Sequence, residues 1–219
     1  MPRSGKRGPG GNPPGLFIQG SLGFPADAPA SSTGGLEGVC GLDEAGRGPL
    51  AGPVCAAAVI LPPGFPEDIL DDSKRLNAAR REAAFERIVA EARWGIGWAG
   101  PSEIDRYNIL QASLLAMRRA FADLLSDGLP PPPRAIVDGN KDPGLGVPTA
   151  AKPKADAIYP PVMAASIIAK TARDADMVRW SRIYPGYGYE IHKGYPTEAH
   201  RAAVARLGPS PIQRMSFKC

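Results

Sequence analysis

Two carboxylates stand side by side at Asp43 and Glu44, and a Gly46-Arg47-Gly48 turn follows directly. Gly46 and Gly48 can take positive φ and permit close backbone approach. Their amides can therefore form an anion-binding nest, to which Arg47 adds a charged fork. Acids beside a phosphate cradle repel the phosphate unless a cation lies between them. The combination points to a divalent ion with oxygen ligands, Mg²⁺ or Mn²⁺, bridging protein and substrate phosphate. The plain alternative is a solvated charged pair at the end of a strand. Neighbouring strand residues face opposite sides of a sheet, so Asp43 and Glu44 cannot both aim at one ion from regular strand. Asp43 is expected as the direct ligand. Glu44 would reach the site through its longer side chain, a bulge or its backbone carbonyl.

Further chemistry-bearing residues lie at the ends of other expected elements. Asp138 closes an apolar segment just before Gly139. Asp156 follows Lys152 and Lys154, so a surface ion pair is as natural a reading as metal ligation. Ser73 and Lys74, in Asp71-Asp72-Ser73-Lys74, offer a hydroxyl and an ammonium to a phosphate, or simply make a polar loop before a helix. Tyr187, Tyr189 and Tyr195 are interleaved with Gly186, Gly188, His192, Lys193 and Gly194. Such interleaving suits a surface on which sugars or bases stack, although some of these rings could cover the core instead.

The elements that must position these residues alternate between strand and helix. Residues 38–44 and 54–61 are short apolar runs separated by Gly and Pro, as in two paired strands. Asn77 could cap a helix over 78–92 with Phe85, Ile88 and Val89 inward. Residues 94–100 alternate as a third strand. Pro101-Ser102 opens a helical region with Ser102 and Asp105 at capping-box spacing. Leu110, Leu114, Met117, Phe121 and Leu124 then form a core-facing helical stripe. Residues 134–138 form another strand, and 155–159 a weaker candidate. A helix begins at Pro161, where Ala165, Ala169 and Ala172 allow close packing on a sheet. Residues 184–196 are loop, and Thr197 caps a last helix to Leu207. This order indicates an α/β sandwich with a mixed sheet.

The chain of 219 residues carries a formal net charge of +4, which suits a polyanionic partner without requiring one. Residues 1–36, rich in Gly, Pro, Ser and Ala, are read as a disordered tail, and residues 37–219 as the folded domain. Cys40, Cys55 and Cys219 lack zinc-ligand spacing and fit a reducing cytoplasm. No apolar run approaches the ~20 residues of a membrane span.

Taken in order, GLDEAGRGPLAGPV, DDSKRLN, EIDRYNIL, VDGNK, KADAIYP, AASIIAKTARDADM and HKGYPTEAH resemble ribonuclease HII, the bacterial type 2 ribonuclease H. The resemblance runs from Gly38 to about Phe217. It implies a ribonuclease H-like fold, a central mixed β-sheet flanked by helices, with a helical C-terminal part. It also implies a four-carboxylate metal site of Asp43, Glu44, Asp138 and Asp156. The Gly46, Arg47 and Gly48 turn would sense the ribose 2′-hydroxyl. Tyr195 would stack on the deoxyribose that follows the ribonucleotide, and Ser73 and Lys74 would hold the backbone. Asp174, facing the same way as Ser166 and Lys170 on their helix, is read as helix support. The substrates implied are RNA–DNA hybrids and duplex DNA containing ribonucleotides. Two Mn²⁺ or Mg²⁺ ions bridged by Asp43 would drive hydrolysis on the 5′ side of the ribonucleotide, leaving 3′-hydroxyl and 5′-phosphate ends. A monomer is expected. No C-terminal clamp-binding motif is expected, because the chain stops soon after Ser216-Phe217. The rivals are another carboxylate-metal nuclease of the same fold, such as a junction resolvase or transposase-like enzyme, and a non-catalytic nucleic-acid binder.

Overall fold

A computed structural model describes residues 38–70 and 78–218. The expected tail, Asn77, and the Ser73 and Lys74 pair lie outside the described residues. Five strands form one mixed sheet in the order β3-β2-β1-β4-β5. Strand β1 (Val39–Ala45) pairs antiparallel with β2 (Val54–Ile60), which pairs antiparallel with β3 (Arg93–Ala99). On its other edge β1 runs parallel to β4 (Arg134–Asp138), and β4 runs parallel to β5 (Thr149–Lys152).

The two-residue period of the strands sorts their side chains between two cores. Val54, Ala56 and Ala58 of β2 join Cys40 and Leu42 of β1 and Ala135 and Val137 of β4 beneath helix α2 (Pro101–Leu124). Cys55, Ala57 and Val59 face the opposite side, where α1 (Ala78–Glu91) and α3 (Pro160–Ile183) pack. Cys40 and Cys55 are free and buried, and burial pushes the Cys40 thiol up to about 12.

Small residues set how closely the helices approach. Ala112, Ala116 and Ala120 of α2 are fully buried. A Cβ added at Gly97 of β3 would stand 2.2 Å from the Ala116 carbonyl oxygen and 2.3 Å from the Ala120 nitrogen. That contact is with helix backbone, which cannot rotate away. Gly97→Ala should therefore lower unfolding stability by about 1–3 kcal/mol through overpacking, measured in urea. The alanines Ala165, Ala169 and Ala172 of α3 are buried in the facing core, as their spacing predicts.

Several expectations are corrected. Residues 155–159 are not a strand. Ala155–Ala157 form a 3-10 turn entered through Lys154 at φ 62, and the fifth strand is Thr149–Lys152. At the start of α2 the reciprocal cap is made not by Ser102 and Asp105 but by the Gly100 amide, which donates to Glu103 Oε2 at 2.9 Å. Asp105 instead accepts from the Met215 and Ser216 amides at 3.0 and 2.9 Å, tying down the C-terminal segment. Asn108 has left-handed φ and kinks α2, and its Oδ1 accepts from the Leu110 and Gln111 amides to restart the helix. Within the predicted loop, Tyr189–His192 form a short helix, α4. Thr197 caps the final helix, α5 (Glu198–Leu207), by accepting from the His200 amide. Among the described residues, no helix is long and apolar enough to cross a membrane.

Candidate active site

Strand register decides which acids can meet. Leu42 of β1 lies beside Val137 of β4, and both face α2. One residue further on, Asp43 and Asp138 therefore turn together to the opposite face, at the carboxyl ends of two adjacent parallel strands. The 3-10 turn before α3 brings Asp156 to the same place, and the Ala155 amide donates to Asp138 Oδ1 at 2.8 Å. One carboxylate oxygen from each of Asp43, Asp138 and Asp156 lies within 4.8 Å of the others. Asp43 and Asp156 are buried, and Asp138 is partly so.

Glu44 is not in that trio, as the strand parity requires. Its carboxylate, only 8% exposed as a side chain, accepts from Arg47 Nη1 at 3.1 Å. Its carboxyl is nevertheless raised, chiefly by burial, with Asp138 and Asp156 adding repulsion against the opposing pull of Arg47. Asp43 is pushed well above the ordinary carboxylate range by burial and by the Glu44 charge, with a smaller push from Asp138. A hydrogen bond from Ser166 of α3 and one from the Glu44 amide, at 2.7 Å, act in the other direction. The raised Asp43 and Glu44 carboxyls belong to an acidic set short of positive charge. Their all-oxygen donors fit a hard divalent cation, and a cation among them would relieve the repulsion.

The Gly-Arg-Gly turn follows at the end of β1. Gly46 has φ +99, and a Cβ there would fall 2.0 Å from Arg173 Nε, so glycine is required for both reasons. Gly48, in contrast to expectation, lacks positive φ. Its place near Tyr195 is clear, since an added Cβ would lie 3.8 Å from Tyr195 Cε1. The Leu50 amide donates to the Gly194 carbonyl at 2.8 Å and ties the turn to the tyrosine's loop. Tyr195 is 38% exposed, whereas Tyr189 is fully buried in a small core with Tyr184 and Tyr187 at its edge. The tyrosine-rich segment thus divides, with Tyr195 at the surface and the others covering core. Lys170 Nζ and Arg173 Cζ stand 5.7 and 5.8 Å from the Tyr195 ring centre. Lys170 is also paired with Asp174 at 2.9 Å, which agrees with the helix-support role expected of Asp174.

The residues that sequence reasoning missed lie behind the turn. Arg173 and Arg214 are 1% and 0% exposed, and backbone carbonyls of the Gly46–Pro53 segment accept from both. Ser166 shares a helix face with Lys170 and Asp174, and only the fold brings it to the Asp43 carboxylate.

Comparison with known proteins agrees with this geometry. The family model for Ribonuclease HII matches residues 40–219. A ribonuclease HII of Laribacter hongkongensis is 56% identical over 183 residues, covering 82% of this chain and 90% of the relative. The solved ribonuclease H2 of Pyrococcus horikoshii OT3 is 27% identical with a TM-score of 0.68, covering 82% of this chain and 93% of the other. A chain from the PCNA:RNase HII complex of Archaeoglobus fulgidus is 27% identical with a TM-score of 0.66, covering 83% and 95%. With strand-end carboxylates, a mixed sheet flanked by helices and a family match across nearly all the described residues, the chain belongs to the ribonuclease HII family and is a metal-dependent endoribonuclease of RNA–DNA hybrids.

Proposed function

We propose that the enzyme cuts duplex DNA on the 5′ side of single embedded ribonucleotides, as well as the RNA strand of hybrids, leaving 3′-hydroxyl and 5′-phosphate ends. The observation that carries this reading is the convergence of Asp43, Asp138 and Asp156 within 4.8 Å, beside a Gly-Arg-Gly turn. These three aspartates, with Glu44 at their margin, would hold Mg²⁺ or Mn²⁺, two ions during turnover. Bound there, such ions would supply an activated water and would neutralise charge on the phosphate and the leaving oxygen.

The protein's own groups account for the rest. Ser166 and the Glu44 amide orient the Asp43 carboxylate, and the Ala155 amide orients Asp138. Arg47 is half exposed and donates to the largely buried Glu44 carboxylate, so it lies where it can exchange that anion for a substrate phosphate. Gly46, Arg47 and Gly48 bring backbone within reach of a ribose 2′-hydroxyl, the group that distinguishes RNA from DNA locally. Tyr195 offers its exposed ring to the following deoxyribose, and Ser73 and Lys74 are proposed to bind the backbone. Residues 37–219 would form the catalytic domain, with 1–36 outside it. The enzyme is proposed to act as a monomer in a reducing cytoplasm, the latter in keeping with the buried, free Cys40 and Cys55.

A resolvase or transposase-like activity would leave the turn and Tyr195 without work. Cleavage of a duplex with one ribonucleotide, compared with all-DNA junctions of the same sequence, separates the two. Cutting confined to the ribonucleotide is the expected outcome, and efficient cutting of the junctions would refute the proposal.

A further inference from the structure

Arg214 lies far along the sequence from the active-site turn but directly beneath it. The C-terminal segment reaches that place as a short antiparallel bridge. Ala51 pairs with Gln213, the Arg214 amide donates to the Leu50 carbonyl at 2.8 Å, and the Gly52 amide donates to the Ile212 carbonyl at 2.9 Å. From there the guanidinium fans out under the turn. Nη2 donates to the Gly46 carbonyl at 2.6 Å and to the Pro53 carbonyl at 3.1 Å. Nη1 donates to the Arg47 carbonyl at 3.0 Å, and Nε to the Gly52 carbonyl at 2.8 Å. Arg173 completes the layer, donating to the carbonyls of Pro53, Ala51 and Lys193.

Two buried cations side by side are expensive. Burial, and then the neighbouring Arg173 charge, draw the Arg214 guanidinium down to about 9. A core that needed only shape would be better served by apolar side chains of similar volume. The arrangement makes sense through the geometry of the peptide group. A trans peptide is planar, so its N–H points opposite to its C=O. Arg214 draws the carbonyls of Gly46 and Arg47 inward, and in those same two planes the amides of Arg47 and Gly48 must then point outward. Arg47 and Gly48 are exposed, beside Glu44 and Tyr195.

We propose that Arg214 is the positioning residue for recognition of the ribose hydroxyl: by holding the Gly46 and Arg47 carbonyls from inside, it aims the Arg47 and Gly48 amides at the substrate. A planar guanidinium reaches four carbonyls at once, and a lysine ammonium in its place could not. Asp105 is the outer support of the same device, because it holds the Met215 and Ser216 amides immediately after Arg214. The role presupposes the proposed cleavage at ribonucleotides.

The test is the affinity of the full chain for two duplexes of one sequence, one all-DNA and one with a single ribonucleotide. Both are titrated in calcium, with gels confirming that the duplexes stay intact. The ratio of the two dissociation constants does not depend on what fraction of the protein is folded, so a merely structural role would leave it unchanged. The parent chain should prefer the ribonucleotide duplex by about tenfold or more. Arg214→Lys should bring that preference below about threefold while its affinity for all-DNA duplex stays within about twofold. Asp105→Ala, an alteration at the protein surface that keeps Arg214, should lose part of the preference and serves if Arg214→Lys does not fold. A parent chain that neither cleaves at nor prefers the ribonucleotide refutes the cleavage reading itself. A parent that does both, with variants that keep the full ratio, overturns the role of Arg214 alone.

Discussion

Asp43→Asn and Asp138→Asn are each expected to lose roughly a thousandfold or more in turnover, equivalent to about 4 kcal/mol of transition-state stabilisation. Both substitutions keep size and shape but remove a charge that a divalent ion needs. Stability should move the other way for Asp43→Asn. Burial and the adjacent Glu44 charge raise the Asp43 carboxyl in the folded chain. A carboxyl raised by folding subtracts stability wherever it is ionised, and that deficit shrinks as pH falls through its folded value. In metal-free buffer at neutral pH, Asp43→Asn should therefore melt higher than the parent, and the gap should narrow on acidification. Divalent metal should raise the parent's melting temperature and leave that of the Asn variant nearly unchanged. Thermal melts with and without Mn²⁺, read beside cleavage rates, check both halves. A variant that kept near-parental cleavage would remove Asp43 from the metal site.

Replacement of Tyr195 separates stacking from hydrogen bonding. Its ring is substantially exposed, next to Gly48 and under the influence of two cations. Tyr195→Ala should cost about 1–3 kcal/mol of stacking on a single-ribonucleotide substrate, roughly a tenfold to hundredfold loss in kcat/KM, and more if the ring also aligns the reacting phosphate. Tyr195→Phe should lose little. Long RNA–DNA hybrid should suffer less than the single-ribonucleotide substrate with the Ala variant, because no junction is present to recognise. Melting temperatures should fall only slightly in both. Equal and severe unfolding of both variants would instead mark Tyr195 as a core residue.

What the sequence made legible was whatever depends on neighbours in the chain. The strand ending in Asp43, the turn after it, and the strand ending in Asp138 follow from local pattern. The two-residue period even separates Asp43 from Glu44, and the structure leaves Glu44 out of the aspartate trio, although its charge still acts on Asp43. Asp156 was ambiguous because its place depends on a left-handed Lys154 and a single 3-10 turn, which leave no periodicity to detect. The fifth strand was missed for a related reason. Thr149–Lys152 is a four-residue edge strand with alternating exposure, too short and too polar to stand out. Arg173 and Arg214 could not be found from sequence at all. A buried arginine is written with the same letter as a surface one. The partners here are backbone carbonyls as far as 168 residues away, which any residue type could supply.

The most direct test of the cleavage mechanism is the reaction of a labelled duplex carrying one ribonucleotide, with and without Mg²⁺ or Mn²⁺, with both new ends identified. The carboxylate site predicts a single cut on the 5′ side of the ribonucleotide, only in the presence of metal, leaving a DNA 3′-hydroxyl and a ribonucleotide 5′-phosphate. Cutting without metal, cutting of the all-DNA duplex at a similar rate, or a 2′,3′-cyclic phosphate on the 3′ side, which would make the ribose hydroxyl the nucleophile, would contradict it.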